Sequence, residues 1–246
     1  MQAKKRKRLD LLLCDNGAAA SREKARSLIL SGNVLVDDRI VDKPGTLIDP
    51  RASVTVKNKP PFVSRGGLKL QAAIEGMGIH ADGCVCLDVG ASTGGFTDCL
   101  LQNNAAHVYA VDVGYGQLAW SLRNDDRVTV IERTNIRTLS ERLVPSPIDI
   151  VTIDVSFISL RIVVPAVLKF MKQTGFILAL IKPQFEVGKG RVGKGGVVRD
   201  PELHTDTIKD LSSFFSGIGL VTGPVVQSPV PGPKGNIEFM IRLDRS

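Results

Sequence analysis

Five short apolar runs separated by stretches of helical periodicity constrain this chain more than any other feature of it. They occupy residues 85–89, 107–112, 128–131, 148–154 and 175–182. Continuous apolar runs of this length are what parallel strands buried on both faces require. Helical segments are expected between most of them, at 97–102 and 165–172 for instance, and an antiparallel hairpin from 221–222 and 237–243 closes the chain. Strands and helices in this order predict a doubly wound, Rossmann-like α/β sheet. In such sheets ligands bind beyond the carboxyl ends of the strands, where strand order reverses.

The first sixty residues follow another pattern. Leu9, Leu12 and Leu13 repeat at helical spacing and stop at Asn16-Gly17, and Ser21 opens a second helix with Ala25, Leu28 and Ile29 on its inner face. Short strands follow around the Asp37-Asp38 turn and at 54–56. This segment holds 13 Lys and Arg against 7 Asp and Glu, so it carries most of the formal net charge of +7. A local excess of that kind suits an anionic polymer. From Arg8-Leu9-Asp10 through Ser21-Arg22, Ala25, Gly32 and Val34-Leu35-Val36 to Asp38, the segment resembles the S4 RNA-binding domain. The resemblance implies a small α+β module that grips structured RNA, with Arg8, Arg22, Lys24 and Arg26 as candidate contacts. The expected organisation is an S4-like domain over 1–59, a proline-rich linker at 60–64 and the α/β domain over 65–246.

The turn after the first apolar run reads Asp88-Val89-Gly90-Ala91-Ser92-Thr93-Gly94-Gly95-Phe96. Its glycines allow a tight turn and close approach of backbone to a ligand. It has neither the dinucleotide spacing Gly-x-Gly-x-x-Gly nor the Gly-Lys-Ser/Thr of a phosphate loop. An acidic residue heads it, which suits a ligand bearing an ammonium and a sulfonium. Asp112, ending the second run with Val113 and Gln117 behind it, is placed to accept ribose hydroxyls. Asn135, after the third run, is placed at an adenine edge. The arrangement resembles the class I S-adenosylmethionine methyltransferases, which implies that cofactor.

The acceptor atom is set by other residues. Asp154-Val155-Ser156-Phe157 matches an Asp-x-x-Phe pattern used on planar amines, so a base amine stays open as acceptor. A ribose hydroxyl instead needs a base in line with the methyl–sulfur bond. A lysine can serve if burial and a neighbouring ammonium disfavour its charged form. Lys69, Asp154, Lys182 and Glu238 occur in the order of the tetrad of FtsJ-like 2′-O-ribose methyltransferases. That resemblance implies Lys182 as general base, Asp154 and Glu238 as its orienting counter-charges, and Lys69 as support.

Ser64-Arg65-Gly66-Gly67-Leu68-Lys69, Asp112-Val113-Gly114-Tyr115-Gly116, Lys182-Pro183-Gln184-Phe185-Glu186 and Pro231-Gly232-Pro233-x-Gly235-Asn236-x-Glu238 together resemble the TlyA family, which also carries a haemolysin label. The resemblance implies 2′-O-methylation of cytidine in bacterial ribosomal RNA, with the large subunit, or both subunits, as substrate. Arg65 is a further candidate RNA contact, as are Lys189 and Arg191, which belong to a mobile, glycine-rich loop expected after Lys182.

Cys14, Cys84, Cys86 and Cys99 lack the paired spacing of a zinc site or a disulfide framework, so no metal is expected. No run of about 18 apolar residues and no secretion signal is present, and a cytoplasmic location is expected. Two rival functions remain: a membrane-active haemolysin, and a non-catalytic RNA-binding assembly factor. The first needs an amphipathic or spanning segment, and the second predicts loss of Asp88, Lys182 or Glu238, all of which are present.

Overall fold

The computed structural model describes residues 6–19, 21–57, 61–188, 190–193 and 195–245. The chain divides into two compact units, Met1–Pro61 and Phe62–Ser246. Of the linker expected at 60–64, Pro60 lies outside the described residues, whereas Phe62 is already buried in the second unit beside Leu70 and Phe96. Gly67 leaves the space that Phe62 fills, since a Cβ there would come within 2.2 Å of the Phe62 ring.

In the first unit, β1 (Lys7–Arg8) runs into α1 (Leu9–Asp15), and α2 (Arg22–Leu30) follows. The Ser21 hydroxyl accepts the Lys24 N–H at 3.2 Å and caps α2, satisfying one of the N-terminal donors a helix leaves open. Strands β2 (Val34–Val36) and β3 (Arg39–Ile40) form a hairpin. Its turn residues Asp37 and Asp38 both lie at positive φ, 47° and 63°, as the tight turn matching strand twist requires. β4 (Leu47–Ile48) pairs with β1, and β5 (Val54–Val56) pairs with β2. Leu9, Leu13, Ala25, Ile29 and Val34 make the core.

The second unit is built on a seven-stranded sheet. Its elements are α3 (Gly66–Gly76), β6 (Val85–Val89), α4 (Gly95–Gln102), β7 (His107–Val111), α5 (Trp120–Arg123), β8 (Val128–Ile131), β9 (Ile148–Ile153) and α6 (Leu160–Val167). They continue with β10 (Met171–Ile181), α7 (Pro183–Glu186), α8 (Pro201–Gly217), β11 (Leu220–Gln227) and β12 (Phe239–Arg245). The strand order is β11-β12-β10-β9-β6-β7-β8. The five strands from β8 to β10 are parallel, and β12 and β11 add antiparallel. Order reverses on either side of β6, which pairs with both β7 and β9. One face of the sheet packs on α6 and α8 through Val163, Val164, Leu211 and Phe215; the other packs on α3 and α4 through Leu70, Ile74, Phe96 and Leu100.

The helix expected at 165–172 lies earlier, at Leu160–Val167, and Met171 already belongs to β10. Two local signals set the true start. Leu160, Val163, Val164 and Val167 form one buried helical face, and Ser159 caps it by accepting the Arg161 N–H at 3.1 Å. Pro165 is tolerated inside the helix, where the N–H it lacks removes only one bond of the ladder. No helix among the described residues is long and apolar enough to cross a membrane.

Candidate active site

The glycine-rich turn between β6 and α4 lies at the strand-order reversal. Gly90 takes φ 85°, and a Cβ there would come within 2.5 Å of the Asp154 carbonyl oxygen, so only glycine fits. Gly94, at φ 96°, precedes α4, and a Cβ on it would meet Leu122 at 2.3 Å. Asp88 is not where the sequence places it. Its side chain is fully buried beneath the turn, accepting from the hydroxyls of Thr97 at 2.7 Å and Thr152 at 3.0 Å. Burial pushes its carboxyl up to about 6, against the pull of the two threonine bonds and with a smaller push from the Asp154 charge. Asp88 therefore braces the loop from below and does not line the ligand cavity.

Beyond the strand ends lies a cavity of about 530 Å³, a size suited to a nucleoside-sized ligand. Val111, Val113, Ile136 and Ile158 line it with apolar surface, and Gly90, Ser92, Asp112, Gln117, Asn135 and Asp154 border it. The Asp112 carboxylate accepts the Ser92 N–H at 2.7 Å and the Gly114 N–H at 2.6 Å, which ties the glycine turn to the loop after β7. Each carboxylate oxygen keeps a lone pair for a ligand hydroxyl. Asn135 accepts the Arg137 N–H at 3.1 Å through its carbonyl, so its amide nitrogen is the group left to donate toward a purine edge. Glycine clearance, a strand-end carboxylate, an amide and an apolar slot fit S-adenosylmethionine.

A second cavity of about 320 Å³ shares Gly90, Ser92, Asp154 and Ser156 with the first. Ala91, Thr93, Gly95 and Phe96 of the turn line it, together with Arg65, Lys69, Lys182 and Gly232. Lys182, the residue after β10, places Nζ 2.6 Å from Asp154 Oδ1 and donates to the Ser156 hydroxyl at 3.1 Å. Lys69, on α3, places Nζ 2.5 Å from Glu238 Oε2. Both lysines are nearly buried, at 9% and 8% exposure for Lys69 and Lys182, and Glu238 is fully buried.

The four tetrad residues thus resolve into two ion pairs. Glu238 is the partner of Lys69 and not, as the sequence reading has it, a direct counter-charge of Lys182. The cause is topological: β12 starts directly after Glu238 and lies against α3, while Lys182 and Asp154 leave adjacent parallel strands. Glu238 reaches its place because residue 232 is glycine; a Cβ there would sit 2.0 Å from Glu238 Oε1. Sequence reasoning missed Ser156, whose signal is a hydroxyl two positions after Asp154.

The candidate RNA contacts divide. In the first unit, Arg8 grips the fully buried Asp10 with two bonds of 2.9 Å, and Arg22 adds a third at 3.0 Å. The Arg8 hydrogen bonds hold the Asp10 carboxyl down at about 2, with Arg22 contributing. Both arginines are therefore structural as well as basic, whereas Lys24 and Arg26 stand exposed on α2. In the second unit, Arg65 borders the lysine cavity and Arg191 is exposed, while Lys189 lies outside the described residues. The end of the basic stretch is anchored where the sequence suggests a mobile loop. Buried Asn236 accepts the Val198 N–H at 3.1 Å and donates to Gly196 O at 3.0 Å, and Val197 and Val198 are buried.

Comparison with known proteins agrees with this fold. Residues 62–245 match the FtsJ-like methyltransferase family and residues 7–54 match the S4 domain. The second unit is an FtsJ-like methyltransferase domain and the first an S4 domain. The 16S/23S rRNA (cytidine-2′-O)-methyltransferase TlyA of Mycobacterium tuberculosis is 46% identical over 241 residues, covering 97% of this chain and 90% of that one. Hemolysin A of Brachyspira hyodysenteriae is 40% identical over 234 residues, covering 95% and 98%. The solved structure of a candidate hemolysin from Streptococcus thermophilus superposes with a TM-score of 0.75 at 39% identity, covering 99% of this chain and 90% of that one. This chain belongs to the TlyA family.

Proposed function

We propose that this methyltransferase transfers a methyl group from S-adenosylmethionine to the 2′-hydroxyl of a cytidine in bacterial ribosomal RNA, with the large subunit as first substrate. One observation carries the reading. Two lysine–carboxylate pairs, with Lys69, Lys182 and Glu238 buried and Asp154 partly exposed, stand in and behind the wall of a cavity that opens onto the nucleoside slot at Gly90 and Asp154.

Asp112 and Asn135 would hold the ribose and adenine of the cofactor, with the glycine turn alongside. When bound, S-adenosylmethionine supplies a methyl group on a positively charged sulfur. With that group bound, Lys182 Nζ in its uncharged form would take the proton of the ribose hydroxyl while the hydroxyl oxygen bonds to the methyl carbon and the methyl–sulfur bond breaks, the sulfur leaving as a neutral thioether. Asp154 and Ser156 fix the direction of Nζ, a positional requirement worth orders of magnitude in rate. Lys69, neutralised by Glu238, packs the opposite wall and keeps water from it. Lys24 and Arg26 of the S4 domain, with Arg65 and Arg191, supply phosphate contacts; Arg8, Arg22 and Lys189 are further members of that set. The commitment of Asp154 to Lys182 weighs against the base-amine alternative, in which its oxygen would hold a planar amine.

The test is transfer of labelled methyl from S-adenosylmethionine to isolated large and small subunits, with the modified nucleotide mapped. A 2′-O-methylcytidine is expected, lost in Lys182→Ala while cofactor binding is retained. A base-methylated product overturns the acceptor assignment, and unchanged turnover in Lys182→Ala removes that lysine from the chemistry. Transfer to the small subunit as well would match the relative named for both 16S and 23S RNA.

A further inference from the structure

Glu186 lies outside the four residues of the tetrad and lines neither cavity, yet it is bonded to the segment that orients Lys182. It ends α7, the single helical turn that begins directly after Lys182. Its carboxylate reaches across to the loop after β9. Oε2 accepts from the Ser159 hydroxyl at 2.6 Å and Oε1 accepts the Leu160 N–H at 2.8 Å.

Two peptide segments therefore run side by side from the ends of neighbouring parallel strands, 154–160 from β9 and 182–186 from β10. They are joined at three levels. Lys182 meets Asp154 and Ser156 at the cavity. Phe185 packs on Phe157 with ring centroids 5.0 Å apart. Glu186 closes the far end on Ser159 and Leu160. Of these links, the one at the cavity is the one chemistry must disturb, because a lysine that moves a proton changes its charge opposite Asp154. The ring contact is non-directional. Only the Glu186 end supplies two directional bonds, both charge-assisted and remote from the reacting atoms.

We propose that Glu186 is a positioning residue for methyl transfer, locking the register of the Lys182 turn against the Asp154–Ser156 loop so that Nζ keeps its aim. The inference rests on the assignment of Lys182 as base. Burial raises the Glu186 carboxyl above the ordinary glutamate range while Ser159, the Leu160 N–H and the nearby Arg161 charge oppose that rise. Opening the link at this half-buried carboxylate frees the Ser159 hydroxyl and the Leu160 N–H together, so the link is held as a unit.

The experiment uses the full chain with ribosomal subunits and measures kcat and KM for RNA at saturating S-adenosylmethionine, with thermal melting as a check on folding. Glu186→Ala is expected to stay folded and to lower kcat by about 100-fold, the scale of a misplacement of about 1 Å, with KM for RNA unchanged. Glu186→Gln keeps an acceptor for the Leu160 N–H, and its kcat is expected between that of the Ala variant and wild type. Should Glu186→Ala fail to fold, the Gln variant decides: a lowered kcat in folded protein supports the proposal and an unchanged one overturns it. It is also overturned if the Ala variant keeps wild-type kcat at saturating S-adenosylmethionine and loses turnover only below saturation, since the link would then serve only the cofactor loop. Loss of activity in Lys182→Ala alongside full activity in Glu186→Ala would sink this inference and leave the base assignment standing. Full activity in Lys182→Ala would remove the assignment itself.

Discussion

Replacing Asp88 by asparagine should change how stability depends on pH, by an amount the structure fixes. The carboxyl is fully buried, and its value rises from 3.8 to about 6 in the folded protein. Between those values the folded chain holds a proton that the unfolded chain has released, so stability falls as pH rises through that window and the loss is complete above about 6. A rise of about two units corresponds to about 3 kcal/mol, since each unit is worth about 1.4. Asparagine is close in shape and can still accept from one threonine hydroxyl and donate to the other, but it does not titrate. The difference in unfolding free energy, variant minus wild type, should therefore grow by about 3 kcal/mol between pH 3 and pH 7. For a domain of this size that is a change of about 6–12 °C in the Tm difference. Urea unfolding at half-unit pH steps, followed by circular dichroism, measures it. Parallel stability curves for the two proteins would refute the argument, because the buried carboxyl would then titrate as it does in the unfolded chain.

Two other results follow from the charge placement. Lys69→Met strands the fully buried Glu238 carboxylate and should cost about 3–5 kcal/mol in urea unfolding, whereas Lys69→Met with Glu238→Gln should recover most of that without recovering turnover; equal instability of the two would count against the pairing. In the S4 domain, Lys24→Ala and Arg26→Ala should each weaken RNA binding and flatten the salt dependence by about 0.7–0.9 in log–log slope with melting unchanged, while Arg8→Ala and Arg22→Ala should also lower the melting of that domain because both hold Asp10; filter binding across a salt series with parallel melts checks it.

The sheet and the site were legible in the sequence to different depths. Apolar runs and a glycine turn locate strands and ligand, because buried parallel strands and close backbone approach each demand a residue type. Pairing across the fold is another matter. Lys69 and Glu238 stand 169 positions apart, and nothing local says that they meet each other instead of Lys182. Asp88 looked like a ligand contact because an acid heads the turn; what buries it is Thr152, on a strand that chain order alone does not put beside β6. Arg8 and Arg22 looked like free charge for RNA, and only coordinates show both turned on Asp10. Glu186 has no local signal of a role, since its partners Ser159 and Leu160 belong to a helix start that lies five residues before the one periodicity suggests.

The reversal of strand order around β6 has an outcome for how such a protein can diversify. Gly90, Asp112 and Asn135 all follow strands on one side of the divide, and Asp154, Lys182 and Glu238 all belong to the other. Loops after β10 and β11 can therefore be rewritten for a new acceptor while the donor half is inherited intact. The loop after β9 is the exception, since Asp154 and Ser156 border both chambers and Ile158 lines the donor slot, and a change of substrate made there would also be felt by the donor.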